Sequence, residues 1–168
     1  MYEEEITIEE LERVITKLKR HKMPGPDGMP VEFSKEMNNA NKENVRQILN
    51  EWWSTEDMPD ELMKAKVVLI FKKGGEDNFG NYRPISLLNT FYKILAAIIQ
   101  HRIAIQIDTR VQPTQYGFRS TKGTAEAIHY IRRIVDKGES RRSNTHLVLL
   151  DWEKAFGNIK HKMIRSLR

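Results

Sequence analysis

Ala65-Lys66-Val67-Val68-Leu69-Ile70-Phe71 is the stretch on which the fold class turns. Everything before it is patterned for helix. This run is β-branched and apolar, too short for an independent helix and too apolar for a loop, so it is expected to be a buried strand. Lys72-Lys73-Gly74-Gly75 breaks it, and the polar residues up to Asn81 are expected to form a hairpin or mobile loop leading into Tyr82-Arg83-Pro84-Ile85-Ser86-Leu87-Leu88. Helices and strands in one chain of 168 residues make the expected class α/β, an α+β arrangement dominated by helices, with enough chain to bury a core.

Upstream, Thr7-Ile8-Glu9-Glu10 is a capping box, with Ile6 and Leu11 placed as a hydrophobic staple. Leu11, Val14, Ile15 and Leu18 keep the helical period, so the first helix is expected to run to about Arg20. Pro24-Gly25-Pro26-Asp27-Gly28 then imposes a sharp loop, because proline excludes helix and glycine supplies the freedom a tight turn needs. A short helix is expected over 30–37 and a longer one over 41–53, with Val45, Ile48, Leu49 and Trp52 on one face; the three opening helices form a unit.

Downstream, Asn89 is expected to cap a long helix whose face is Phe91, Ile94, Leu95, Ile98, Ile99 and Ile103. After a loop at Gln112-Pro113, Thr121 or Thr124 opens another, with Ala127, Ile128, Ile131, Ile134 and Val135 inward and Gly138 at its close. A last strand is expected over 145–150, delivering Asp151 at its end.

Composition narrows the chemistry. Without cysteine there is no disulfide and no thiolate metal site, which favours a reducing, intracellular compartment; nucleus and cytoplasm are not distinguished. The acidic start, Met1-Tyr2-Glu3-Glu4-Glu5, is unlike a secretory or mitochondrial leader. The longest apolar run, 94–99, is broken by Gln100-His101-Arg102, so no membrane segment is expected. The net charge of +5 is divided unevenly: residues 1–82 carry 12 Lys and Arg against 17 Asp and Glu, residues 83–168 carry 16 against 6. Arg132-Arg133, Arg141-Arg142 and Lys160-His161-Lys162 suit phosphate neutralisation, although solvated helix faces account for such clusters equally.

Three places carry candidate chemistry. Asp151, leaving an apolar run, is placed to bind Mg²⁺ at a sheet rim, or else to cap the following turn; Glu153 is read as surface and Phe156 as a packing residue. Arg83, held extended by Pro84, is suited to a fixed anion such as a triphosphate, and Lys72 and Lys73 can lie beside it as a cationic cradle. Gln115, Tyr116, Gly117, Phe118 and Arg119 place two aromatics about a glycine and end in a cation, a set for base stacking and phosphate contact or for a structural turn. The five histidines have no metal-ligand spacing, and no GxxxxGK[ST] loop occurs.

Taken in order, residues 24–30, the 67–73 strand with Gly74, Asn81-Tyr82-Arg83-Pro84-Ile85-Ser86-Leu87-Leu88, Tyr92-Lys93-Ile94, Gln115-Tyr116-Gly117-Phe118-Arg119 and Leu150-Asp151-Trp152-Glu153-Lys154-Ala155-Phe156 resemble the reverse transcriptases of LINE-type (non-LTR) retrotransposons, from about Met23 onward. The resemblance implies a partial right-hand polymerase fold: a lead-in helix over 1–22, a fingers-like part over 23–142 and the start of the palm over 143–168. It implies Asp151 as the first catalytic, metal-binding aspartate and Phe156 beneath the incoming sugar. Lys72, Lys73 and Arg83 would face the triphosphate, and residues 115–119 the template. Mg²⁺, an RNA template, a DNA primer and deoxynucleoside triphosphates are the implied cofactor and partners.

The chain departs from the family pattern in having Gly157 where an aspartate usually follows Ala-Phe. The later palm motifs, with the paired aspartates that complete a two-metal site, are absent from the sequence. The expectation is therefore a chain inactive alone, with a second chain as one way of completing the palm. A non-catalytic RNA- or DNA-binding remnant and an inert truncated fragment are the alternatives.

Overall fold

The structure, a computed structural model, describes residues 4–151. They fall into two compact units, divided between Val111 and Gln112.

In the first unit α1 (Ile8–Lys17), α2 (Val31–Lys35), α3 (Asn39–Thr55) and α4 (Asp60–Met63) precede β1 (Ala65–Phe71), β2 (Tyr82–Leu88) and α5 (Thr90–Ile107). The capping box forms: the Glu10 N–H donates to Thr7 Oγ1 (3.2 Å) and the Thr7 N–H to Glu10 Oε2 (3.1 Å). Ile6 and Leu11 are buried as the staple requires. The helix ends at Lys17 instead of reaching Arg20, because extended Leu18 turns the chain towards α2, where Glu32 takes the His21 N–H (2.6 Å) and Glu36 pairs with Arg20 (2.8 Å).

Leu11, Val14 and Ile15 of α1, Val45 and Leu49 of α3, and Ile94, Leu95 and Ile98 of α5 join Ile6 and Met37 in one core. Burying each aliphatic side chain of this kind contributes roughly 1.5–3 kcal/mol. Trp52, Phe91 and Ile99 pack at its margin, while Ile48 and Ile103, expected on the same faces, are exposed. The chain entering α1 is held by Asn50, whose amide accepts from the Ile6 N–H (2.6 Å) and donates to the Ile6 carbonyl (3.0 Å), reproducing a strand-like pairing with one side chain.

β1 and β2 pair antiparallel from Ala65 opposite Leu88 to Phe71 opposite Tyr82. The strand assignment holds, but its expected burial does not: along β1 only Val68 is even partly covered. The two strands form a ribbon with no third strand among the described residues, and so both faces keep apolar side chains in solvent. The connection is an ordered hairpin loop. Lys72 N–H donates to the Asn81 carbonyl (2.8 Å), the Asn81 side chain to the Gly75 carbonyl (2.7 Å) and the Tyr82 hydroxyl to the Glu76 carbonyl (3.1 Å). Gly74, at φ +97°, fits the Asn81 side chain so closely that a Cβ there would lie 2.6 Å from it.

Asn89 occupies the N-cap of α5, yet its side chain does not cap the helix. It is 1% exposed and turned to other segments: Oδ1 accepts from the Asp27 N–H (3.2 Å), and Nδ2 donates to the carbonyls of Glu61 (3.0 Å) and Leu62 (3.2 Å).

The second unit contains α6 (Thr124–Ser140), capped by the Glu126 carboxylate on the Gly123 N–H (2.9 Å). Gly138 lies within the helix, not beyond it, and the expected inward face is open: Ile128 and Ile134 are exposed. Residues 145–150 do not form the expected strand. Leu147 to Leu150 run without ladder partners and with side chains 57–86% exposed, since a strand exists only where a neighbour takes its backbone groups.

Candidate functional site

The tip of the β1–β2 ribbon gathers three of the predicted residues. Ile70 pairs with Arg83, and the ladder continues one rung to Lys72 opposite Asn81. Residues two apart share a face of a strand, so Lys72 and Arg83 lie diagonally on one side of the ribbon, while Phe71 and Tyr82 meet edge-on (centroids 5.4 Å apart) on the other. Lys73 follows in the turn. None of the three cations enters an ion pair among the described residues, and all are exposed. Cations on one face without carboxylate partners are a receptive surface for phosphate oxygens.

Two other arginines of the first unit are committed to structure. Arg46 chelates Glu43 (2.7–3.1 Å) and reaches the Ile6 carbonyl; Arg102 chelates Glu10. Hydrogen bonds from Arg102 hold the Glu10 carboxyl below its ordinary pKa, and those from Arg46 do the same for Glu43. The contrast marks Arg83 as available and the other two as fasteners.

The remaining predicted cluster is a loop of the second unit. Gln115 closes a turn through its N–H to the Gln112 carbonyl (2.9 Å) and donates from Nε2 to the Gly117 carbonyl (3.2 Å). Arg119 Nη1 donates to the Gln112 carbonyl (3.3 Å). Phe118 is 95% exposed at φ +60°, a left-handed conformation uncommon for a bulky residue. Lys122, which the sequence reading passed over, stands 5.2 Å from the centroid of Tyr116 and donates to the Pro113 carbonyl (3.3 Å). Its six-residue distance from Tyr116 offers no regular period, so only the turn brings the pair together. An exposed aromatic beside a cation–aromatic pair is equipment for stacking a base and holding its phosphate.

Asp151 ends the described residues in an exposed, non-strand segment, and Phe156 lies outside them. Among the described residues no three His, Cys, Asp or Glu side chains converge to hold a metal ion. The residues described here thus do not make a divalent-ion site; Asp151 offers one carboxylate. No described helix is long and apolar enough to cross a membrane.

Residues 70–166 match the family of reverse transcriptases (RNA-dependent DNA polymerases). Among similar proteins, the Transposon TX1 uncharacterized 149 kDa protein of Xenopus laevis is 27% identical over 159 residues, covering 95% of this chain and 12% of that protein. The RNA-directed DNA polymerase from mobile element jockey of Drosophila funebris is 28% identical over 159 residues, 93% of this chain and 17% of its own length. The retrovirus-related Pol polyprotein from type-1 retrotransposable element R1 of Bradysia coprophila is 26% identical over 160 residues, with coverages of 92% and 16%. The chain spans less than a fifth of each of these relatives.

Proposed function

Because the chain belongs to the reverse transcriptase (RNA-dependent DNA polymerase) family, we propose that it serves RNA-directed DNA synthesis by a non-LTR retrotransposon as the fingers-type part of the polymerase with the first palm segment. The observation that carries this reading is the ribbon tip, where Lys72 and Arg83 share a face and have no acidic partner among the described residues. Arg83, with Lys72 and Lys73, binds and orients the triphosphate of an incoming deoxynucleotide, offsetting its charge as the primer 3′-hydroxyl approaches the α-phosphate. The loop of Gln115, Tyr116, Gly117, Phe118 and Arg119 holds the RNA template by stacking and backbone contact. Asp151 is one carboxylate ligand of a divalent ion, and Phe156 supports the sugar. Mg²⁺ is the ion a polymerase of this family would take, and its role is to bind phosphate and hydroxyl oxygens. The remaining ligands are not assigned to residues of this chain.

The test is a titration with a deoxynucleoside triphosphate and with an RNA template annealed to a DNA primer, together with primer extension. Arg83→Ala is expected to weaken triphosphate binding and to leave the salt slope of template–primer binding unchanged. Incorporation abolished by Asp151→Asn would mark a chain that completes its site with a partner or a second copy. Binding without incorporation is the outcome expected of this chain alone. Triphosphate affinity indifferent to Arg83→Ala and Lys72→Ala would overturn the assignment of the ribbon.

A further inference from the structure

We propose that Asn89 is a positioning residue: its side-chain amide sets the angle at which the β1–β2 ribbon leaves the helical core, and thereby where Lys72 and Arg83 present their charge. The inference rests on the reading of the ribbon tip as phosphate-facing only in that last clause.

The joint lies at the root of the ribbon. Ala65 and Leu88 form its innermost rung; α4 ends at Met63 just before β1, and Asn89 follows β2 directly. The Asn89 amide spans this junction. Nδ2 donates to the carbonyls of Glu61 and Leu62, the end of α4, which have no helical partner there, and Oδ1 accepts from Asp27 in the Pro24-Gly25-Pro26-Asp27-Gly28 loop. Next to it Thr90 Oγ1 donates to the Met29 carbonyl (2.8 Å). The loop sits against this joint so tightly that a Cβ on Gly25 would stand 2.6 Å from Asn89 N, Asn89 Oδ1 and the Leu88 carbonyl carbon. Both strands of the ribbon are therefore tied, at their roots, to one buried amide.

A two-stranded ribbon with open faces has little else to aim it. From its root to Lys72 is seven residues, about 20 Å of strand, so rocking the root by about 10° carries the tip about 4 Å, further than a hydrogen bond reaches. Asparagine suits the joint because it donates and accepts on one short side chain; aspartate of the same shape has no proton for the two carbonyls.

The chain has no cysteine, so Asp77→Cys in the hairpin loop and Asn44→Cys on α3, both exposed, provide the two sites for spin labels in the full 168-residue protein. The tip-to-core distance distribution, measured by double electron–electron resonance, is expected to be narrow with Asn89 present. Asn89→Ala and Asn89→Asp are each expected to broaden it about twofold while the cooperative melt of the helical core persists, as for a hinge that has lost its stop. Thr90→Ser, which keeps its hydroxyl, is expected to leave it narrow. A width unchanged in both Asn89 variants overturns the proposal, and so does loss of the core melt in both, which would make Asn89 a folding residue with no separate role. Triphosphate titration of the same proteins separates the two readings. Broadening in the Asn89 variants with no triphosphate binding by the parent leaves the positioning role and removes the phosphate-facing one. Affinity lost in Arg83→Ala but width unchanged in Asn89→Ala does the reverse.

Discussion

Arg102 on α5 grips Glu10 on α1 through two hydrogen bonds, of 2.9 and 2.6 Å, across 92 residues of chain. The same guanidinium donates to the carbonyls of Glu4 and Glu5 (2.9 Å each) and lies 5.7 Å from the centroid of Trp53. One side chain thus joins the entry to α1, its first turn, α3 and α5. Its partner Glu10 also completes the capping box, so a single carboxylate serves both local and long-range structure.

This pair predicts how stability follows acidity. The Glu10 carboxyl is held below its ordinary value of 4.5, chiefly by the Arg102 hydrogen bonds. A carboxyl with a depressed folded pKa contributes stability that is fully present above its unfolded value and is lost as pH falls through the folded one. Urea denaturation of the parent chain is therefore expected to show stability declining below about pH 4.5, with Glu10→Gln less stable near neutrality and flatter with pH. The neutral-pH loss is expected at about 2 kcal/mol, the scale of a charge-assisted hydrogen bond that is mostly shielded from solvent. Parallel pH curves for the two proteins would assign the acid sensitivity to other groups.

Leu49 is fully buried between the helices of the core. Leu49→Ala is expected to cost about 2–5 kcal/mol through lost transfer energy and the cavity left behind. Thr7→Ala, removing the N-cap oxygen, is expected to cost about 1 kcal/mol. Denaturation midpoints measured at one pH rank the pair.

Three glycines separate space from backbone. Gly25→Ala drives a Cβ against Asn89 and is expected to destabilise by about 1–3 kcal/mol, as overpacking does. Gly28 has open space but φ +68°, so Gly28→Ala is expected to cost about 1 kcal/mol from backbone alone. Gly75 has neither constraint, and Gly75→Ala is expected to be nearly silent. Equal melting shifts for Gly25→Ala and Gly75→Ala would refute the close approach.

On the proposal that the loop of residues 115–119 holds RNA, Phe118 and Lys122 are expected to fail in different ways. Phe118→Ala is expected to weaken single-stranded RNA binding by roughly 1–3 kcal/mol with the salt slope intact, the mark of lost stacking. Lys122→Ala is expected to lower the slope by about one ion through lost phosphate neutralisation. Fluorescence titrations at several salt concentrations distinguish them, and two variants that reduce the slope alike would remove the stacking role.

The sequence by itself determined the local elements: the capping box at Thr7, the boundaries of β1 at Ala65 and Phe71, and the long apolar helix after Asn89. Each is written in residues a few positions apart, through side chains that bond or pack within one turn or along one pleat. Tertiary structure decided what those elements meet. β1 has the composition of a buried strand yet stands in an open ribbon, and residues 145–150 have strand composition yet no ladder, because burial and pairing belong to the neighbour and not to the segment. The diagonal of Lys72 and Arg83 depended on the hairpin register, and the pairing of Lys122 with Tyr116 on the shape of an irregular loop. Asn89 carries the same lesson at one residue: its place before a helix reads as a cap, but the carbonyls and the N–H it satisfies come from residues 61, 62 and 27, and only the folded chain brings those unpaired groups to its amide.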